Sequence, residues 1–329
     1  MSERDIFDSI SPVDYRYWQQ DVAGYLSENA FTGYKLMVEI ALAQVLHRRG
    51  LCAQEIVEEI GQACSQITTA EVYEEQERIR HDIRALVNCI QKRISDEAKP
   101  FVHLTATSYD IVDTANAARY KAVVKDVVVP ALIMLEATLI RMALREVETE
   151  QIGRTHGQHA VPITFGFAIA EYISRLGGCI LSLQGLTDKL VGKFSGAVGA
   201  YNASSLFFDD PEEFEREVLA GLGLEAADHS IQIVHPEPLI RLFSEITITA
   251  GVLANLADDM RHLQRTEIGE VGEPFDEEQV GSSTMPQKRN PESFENGKSC
   301  WEIVMPRLMT MFMSQITEHQ RDLTNSASA

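Results

Sequence analysis

Apolar residues recur three and four positions apart along most of the chain, the signature of amphipathic helices. Residues 29–49 read as one helix stopped by Gly50. Between 69 and 95 the stripe Val72, Ile79, Ile83, Leu86, Ile90 and Ile94 predicts another, with His81 on the roughly opposite face. Residues 111–149 predict a long helix in which Pro130 imposes a kink or a local break. Pro162 is expected to open a further helix, with Ile169, Ile173, Leu176, Ile180 and Leu183 on one side and an end near Gly192. Over 237–266, Leu239, Leu242, Phe243, Ile246, Val252, Leu253, Leu256 and Met260 form an apolar face so wide that other helices are expected around it. A last helix is expected from about Glu292 to Gln315, kinked or tolerated at Pro306. Convincing strand alternation is scarce.

The pattern predicts an all-α fold built on three or more very long helices, packed as a bundle whose wide apolar faces suit subunit contacts. Lys99-Pro100 interrupts the helices where composition shifts, between 95 and 110. The expected organisation is an N-terminal helical domain over 1–108 and a central long-helix bundle over 109–329.

Composition narrows the function. The 329 residues carry a formal charge of −20. That charge argues against nucleic acid or an anionic membrane as main partner, while leaving room for a small anionic ligand in a locally basic site. Cys52, Cys64, Cys89, Cys179 and Cys300 are odd in number and lack CxxC spacing, which fits a reducing cytosol and offers no thiolate metal site. The charged start lacks the apolar core of a signal peptide, and no uninterrupted apolar run reaches membrane-spanning length. A cytoplasmic location is expected.

Polar clusters lie between the helices. Gly281-Ser-Ser-Thr-Met-Pro-Gln-Lys-Arg-Asn-Pro291 cannot be regular helix, because Gly281 loosens it and Pro286 and Pro291 break it. It concentrates two hydroxyls, two cations and an amide, as a loop closing over an anionic substrate would. Thr107-x-x-Asp110 matches a capping box, and the helix end it caps is suited to a carboxylate or phosphate. Gly153-Arg-Thr-His-Gly-Gln-His-Ala160 holds two histidines in a glycine-flanked loop, better placed for proton donation than for zinc, since HExxH and cysteine partners are lacking. His81 is balanced between a site role and a solvated polar face. Lys193–Asn202 is glycine-rich but lacks P-loop spacing; it reads best as a tight turn packed against other backbone.

These motifs together resemble the fumarase/aspartase superfamily of lyases. Gly-Ser-Ser-x-Met-Pro-x-Lys-x-Asn-Pro is that superfamily's most specific motif, and it is complete at 281–291. Within it, Asp14-Tyr-Arg-Tyr17, Arg80-His-Asp-Ile83, Thr107–Ala115, Gly153–His159, Gln264–Glu270 and Arg321–Ser326 resemble the adenylosuccinate lyase family. The resemblance implies β-elimination of fumarate from adenylosuccinate, giving AMP, and from the succinyl-aminoimidazole-carboxamide ribotide of purine synthesis. It implies no metal and no organic cofactor. It makes Ser282 the general base and His156 the general acid, with His159 supporting His156. Lys288 and Asn290 would hold the fumarate-side carboxylates, and Thr107 and Ser108 would offer the capped helix end to a carboxylate. His81, with Asp82 beside it, and His103 would orient the substrate near its phosphate. Arg16, Tyr17, Arg321 and Ser326 would touch the nucleotide, and Gln232 would bind the substrate. It also implies a homotetramer in which three chains build each site.

Three departures mark this chain. Tyr109 stands where the family commonly has a small hydroxyl residue, and Gln287 where many adenylosuccinate lyases have histidine. The family's helical third domain would lie beyond Ala329. Alternatives are another lyase of the superfamily, such as argininosuccinate lyase or a carboxymuconate cycloisomerase, and a non-catalytic helical scaffold.

Overall fold

A computed structural model describes residues 5–316, so Arg321 and Ser326 lie outside the described residues. The chain forms two compact units, one comprising 5–128 and 187–238, the other 129–186 and 239–316.

In the first unit, α1 (Asp14–Tyr17), α2 (Gln20–Leu26), α3 (Glu28–Arg48), α4 (Gln54–Gln66), α5 (Thr69–Ile79), α6 (Asp82–Gln91) and α7 (Ser108–Val123) precede α10 (Pro211–Ala220). Helix α3 is the hub and packs against α2, α4, α7 and α10. Its buried Val38, Leu42, Val45 and Leu46 meet Ile83, Ile111, Phe194 and Phe214 in one core cluster. A second cluster joins Leu36 to Ile60, Leu86 and Ile90. Gly50, at φ 77°, follows α3 in the left-handed region where the stop was expected.

The stripe over 69–95 is not one helix. Arg80 turns left-handed at φ 61° and ends α5, and His81 then caps α6 in extended backbone. The apolar spacing survives such a break because both helices present the same face to the core. The position opposite the stripe is therefore a helix start. The expected long helix over 111–149 begins at Ser108, passes through a π-helical segment at Val124–Val128 and continues as α8 (Val129–Arg145). Pro130 cannot donate to residue 126, and the wider π turn falls where that bond is lost.

In the second unit, α8 is followed by β1 (Glu150–Thr155) and β2 (Gln158–Thr164), an antiparallel hairpin. Pro162 therefore lies inside β2 rather than opening a helix; a two-stranded ribbon has only edge strands, where proline is tolerated. Helix α9 (Phe165–Thr187) follows. Strands β3 (Val191–Gly192) and β4 (Glu225–Ala226), both in the first unit, pair in parallel, and α11 (Glu237–Leu263) is the longest uninterrupted helix among the described residues. Helices α12 (Glu292–Val304) and α13 (Arg307–Met313) divide at Pro306. Glycines let these helices touch. A Cβ on Gly166 would lie 2.3 Å from the Ala143 carbonyl oxygen, and Gly251 faces the indole of Trp301.

Three helices, Ser108–Arg145, Phe165–Thr187 and Glu237–Leu263, are long and apolar enough to cross a bilayer by length and composition. Polar residues on them engage within the protein. Arg175 on α9 bonds Asn255 on α11 at 2.8 Å, and Tyr172 donates to Asp259.

Candidate active site

Residues expected in the site fall on both units. In the first, Asp14 Oδ2 and Oδ1 gather the N–H groups of Ile10 (2.6 Å) and Ser11 (3.1 Å), which fixes the entry to α1. Arg16 and Tyr17 are exposed on this single helical turn.

His81 is the N-cap of α6. Its Nδ1 accepts from the Arg84 N–H at 3.2 Å, so the ring proton belongs on Nε2, away from the helix. Asp82 is the first residue of α6 and is exposed beside it. His103 is held on two sides by Glu39: its backbone N–H donates to Oε2 at 2.9 Å, and its Nδ1 lies 2.7 Å from Oε1. Burial opposes a charge on this ring, but the carboxylate of Glu39, itself 1% exposed, outweighs it and raises the His103 pKa. Nδ1 donates to the carboxylate, which leaves Nε2 outside the Glu39 pair.

Thr107 and Ser108 stand at the start of α7, where the expected capping box is present. Asp110 Oδ2 accepts from the Thr107 N–H at 2.7 Å. Its Oδ1 accepts from Gly196 N–H at 3.3 Å and pairs with Lys193. Thr114 Oγ1, one turn on, donates to the Lys193 carbonyl at 2.8 Å. The glycine-rich stretch 193–202 is thus a tight turn docked on α7. It packs so closely that a Cβ on Gly199 would sit 2.1 Å from the Ser230 carbonyl oxygen. Gln232, two residues further on, is buried, and its Oε1 has no hydrogen-bond partner among the described residues.

In the second unit, His156 and Gly157 form the two-residue tip of the β1–β2 hairpin, since Thr155 pairs with Gln158. Both have positive φ, 54° and 72°, as a type I′ turn requires. The turn lifts the His156 imidazole into the open at the end of a ribbon. Behind it Arg154 pairs with Glu270, and Gln151 Nε2 donates to Glu270 Oε2 at 2.8 Å. The Glu270 carboxyl is held below the usual carboxylate range, by the Arg154 bond first, then by Gln151 and nearby His159.

The 281–291 loop is clasped end to end. Asn290 Nδ2 donates to the Gly281 carbonyl at 2.7 Å. A Cβ on Gly281 would meet the Lys288 carbonyl oxygen at 1.9 Å, so only glycine fits there. Within the loop, Ser282 Oγ accepts from the N–H groups of Thr284 (3.3 Å) and Met285 (3.2 Å). Two amides on one hydroxyl oxygen favour its anionic form. Lys288 is exposed on the same loop. Asn290 spends one amide hydrogen on the clasp and keeps its second hydrogen and its oxygen for a ligand.

Strain and unpaired polar atoms collect around these segments. Among the described residues, Arg80, His103, Thr105, His156 and Tyr201 are the non-glycine positions with positive φ, and four of the five lie in or next to a candidate segment. Thr105 Oγ1, Gln151 Oε1 and Gln232 Oε1 are buried without partners. Sequence reasoning assigned no role to Glu39, Asp110 as a docking residue, Lys193, Arg154 or Glu270. Asp110, Arg154 and Glu270 lie in stretches that carry the family resemblance, which was the available signal. Glu39 sits on a helix face that reads as ordinary core. The described residues hold no cluster of three or more His, Cys, Asp and Glu side chains able to bind a metal.

Comparison with known proteins agrees with the helical fold. A family model described as Lyase matches residues 4–305, and the chain belongs to this family of lyases. Adenylosuccinate lyase of Pyrococcus abyssi is 37% identical over 322 residues, covering 97% of this chain and 70% of that protein. N-acetyl-S-(2-succino)cysteine lyase of Enterococcus italicus is 33% identical over 291 residues, 88% of this chain and 63% of that protein. Among solved structures, 3-carboxy-cis,cis-muconate lactonizing enzyme from Pseudomonas putida matches with a TM-score of 0.84 at 28% identity, over 96% of this chain and 70% of that one.

Proposed function

We propose that this lyase eliminates fumarate from adenylosuccinate, leaving AMP, and does the same to the succinyl-aminoimidazole-carboxamide ribotide. The supporting observation is the Ser282 loop, which also carries Lys288 and in which a hydroxyl oxygen already accepts two backbone N–H groups. The likeness to adenylosuccinate lyase across 97% of the chain favours the purine substrate.

In this reading Ser282 Oγ, as alkoxide, takes the proton from the carbon next to a carboxylate. The electron pair of that C–H bond passes into the carboxylate-stabilised carbanion and then forms the double bond of fumarate. The C–N bond breaks, its electron pair stays on nitrogen, and His156 supplies the proton that completes the amine. No oxidant or hydrolytic water enters the balance, and no metal or organic cofactor is needed. Lys288 and Asn290 hold the substrate carboxylates and stabilise the charge that develops there. Thr107 and Ser108 present the start of α7 to a carboxylate. His81, Asp82, His103, Arg16, Tyr17, Gln232, Arg321 and Ser326 bind and orient the nucleotide.

The exposed apolar residues Ile133, Met134, Ile140 and Leu144 of α8 suit burial against further copies of the chain. We read the working enzyme as a cytoplasmic homotetramer with shared sites, and propose that its 1–108 and 109–329 stretches act as the expected domains. A monomer in light scattering after size exclusion would overturn the shared-site reading.

A second reading is favoured by the 33% identity to the succinocysteine lyase, whose name specifies a sulfur leaving group. Purified chain incubated separately with adenylosuccinate and with N-acetyl-S-(2-succino)cysteine decides between them. Stoichiometric fumarate and AMP from the first is the expected result. Fumarate from the thioether alone would transfer the assignment.

A further inference from the structure

The segment carrying Gln232 has neither helix nor strand around it, so its backbone groups must find partners outside a regular ladder. Two fixed points flank the glutamine. On one side Ser230 meets Ser195, Oγ to Oγ at 2.7 Å and buried, while Gly199 packs against the Ser230 carbonyl. On the other, the Val234 N–H donates to Asp113 Oδ2 at 2.7 Å. Helix α7 underlies both points. Asp110 and Thr114 dock the 193–202 turn that grips Ser230, and Asp113 grips Val234 directly. Gln232 lies midway, 9% exposed, with its carbonyl oxygen unpartnered. A buried amide oxygen without a donor is costly and marks a side chain held for something it does not yet touch.

We infer that Asp113 is a positioning residue: by accepting the Val234 N–H it locks the 230–234 segment and so sets where Gln232 meets the substrate. The inference rests on the proposed binding role of Gln232. Asp113 itself touches a backbone amide of the chain, and its influence on turnover runs through the segment it holds. The Ser230 side of the segment keeps its own contacts when Asp113 is altered, so the loss is local looseness around 232–234.

The test compares wild type, Asp113→Ala and Asp113→Asn in the full chain. Asparagine keeps an acceptor oxygen; alanine removes it. With adenylosuccinate, Asp113→Ala is expected to raise KM about five- to tenfold, the worth of one hydrogen bond, with kcat changed far less. Asp113→Asn should restore most of that loss. Hydrogen exchange read by mass spectrometry over 228–236 should quicken in the alanine variant and return toward wild type in the asparagine variant. Unchanged KM and unchanged exchange in Asp113→Ala would overturn the inference. Equal losses of kcat in both variants, with exchange raised throughout the protein, would also overturn it in favour of a general stability role. A wild type that leaves adenylosuccinate intact removes the substrate reading alone. Exchange over 228–236 then decides for Asp113, and only local quickening rescued by asparagine upholds it.

Discussion

Lys193 Nζ pairs with Asp110 Oδ1 where neither side chain has any exposure to solvent. The ammonium also donates to the Gly196 carbonyl at 3.1 Å. The pair joins the first turn of α7 to the 193–202 turn, and so connects Thr107 and Ser108 to the backbone that grips Ser230.

Removing one partner of a buried pair leaves an uncompensated charge and costs on the order of 3–5 kcal/mol. Lys193→Met should therefore lower the thermal midpoint sharply. Combining it with Asp110→Asn removes the stranded charge while keeping one acceptor for Thr107 or Gly196. The double variant should unfold at a higher temperature than Lys193→Met alone, as followed by circular dichroism. A double variant less stable than the single one would show that the pair is not energetically coupled.

Asp113 supplies a pH signature. Burial pushes its carboxyl up to about 7, against which the Val234 bond and Lys193 act and with which Asp110 acts. The unfolded value is about 3.9. Between these values the native state holds a proton that the unfolded state has lost, so the contribution of Asp113 to stability falls as pH rises from about 4 through 7. Asp113→Asn cannot titrate. Its thermal midpoint relative to wild type should climb between pH 5 and pH 8, and an unchanging difference would place the Asp113 pKa near the ordinary carboxylate range.

His103, paired with Glu39, acts in the same sense at higher pH: its contribution to stability again falls as pH rises. Glu39 raises the His103 pKa over the opposing effect of burial, so this pair stabilises fully below the unfolded histidine value of about 6.5 and is lost as pH passes through the folded one. Glu39→Gln should move the His103 ring titration, followed by proton NMR, to lower pH. A titration that stays in place would mean that Glu39 does not govern the ring.

What the sequence revealed and what it hid follow from range. Periodicity found α3, α9 and α11 because burial of one face repeats locally every three or four residues. It ran α5 and α6 together because a single left-handed residue, Arg80, breaks a helix without disturbing the apolar spacing. It missed the hairpin because β1 is mostly half-buried and β2 mostly exposed, with no alternation of burial in either. The histidines of 153–160 were visible as chemistry, but the type I′ turn was not, since His-Gly is an uncommon pair for it. Glu39, Asp113 and Lys193 were illegible for another reason. Their partners lie 64, 121 and 83 positions away, distances that no spacing rule spans.

Ser282→Ala removes the proposed base and leaves the Asn290–Gly281 clasp in place. Turnover should fall by several orders of magnitude while substrate still binds, as measured by isothermal titration. Comparable turnover in wild type and variant would take the base role from Ser282.

His156 combines a chemical role with a backbone constraint. Its φ of 54° is tolerated by asparagine and glycine, and a β-branched residue there is a steric outlier. His156→Asn should therefore keep the hairpin, the fold and the assembly while removing the proton donor. His156→Val should cost stability as well, of the order of 1–3 kcal/mol for backbone strain. The two variants separate acid chemistry from turn geometry. With the poor leaving group of an amine, loss of the acid should reduce kcat about 10²- to 10⁴-fold in the asparagine variant without lowering its thermal midpoint. An asparagine variant that is stable and fully active would assign the proton to another group and leave His156 as a turn residue.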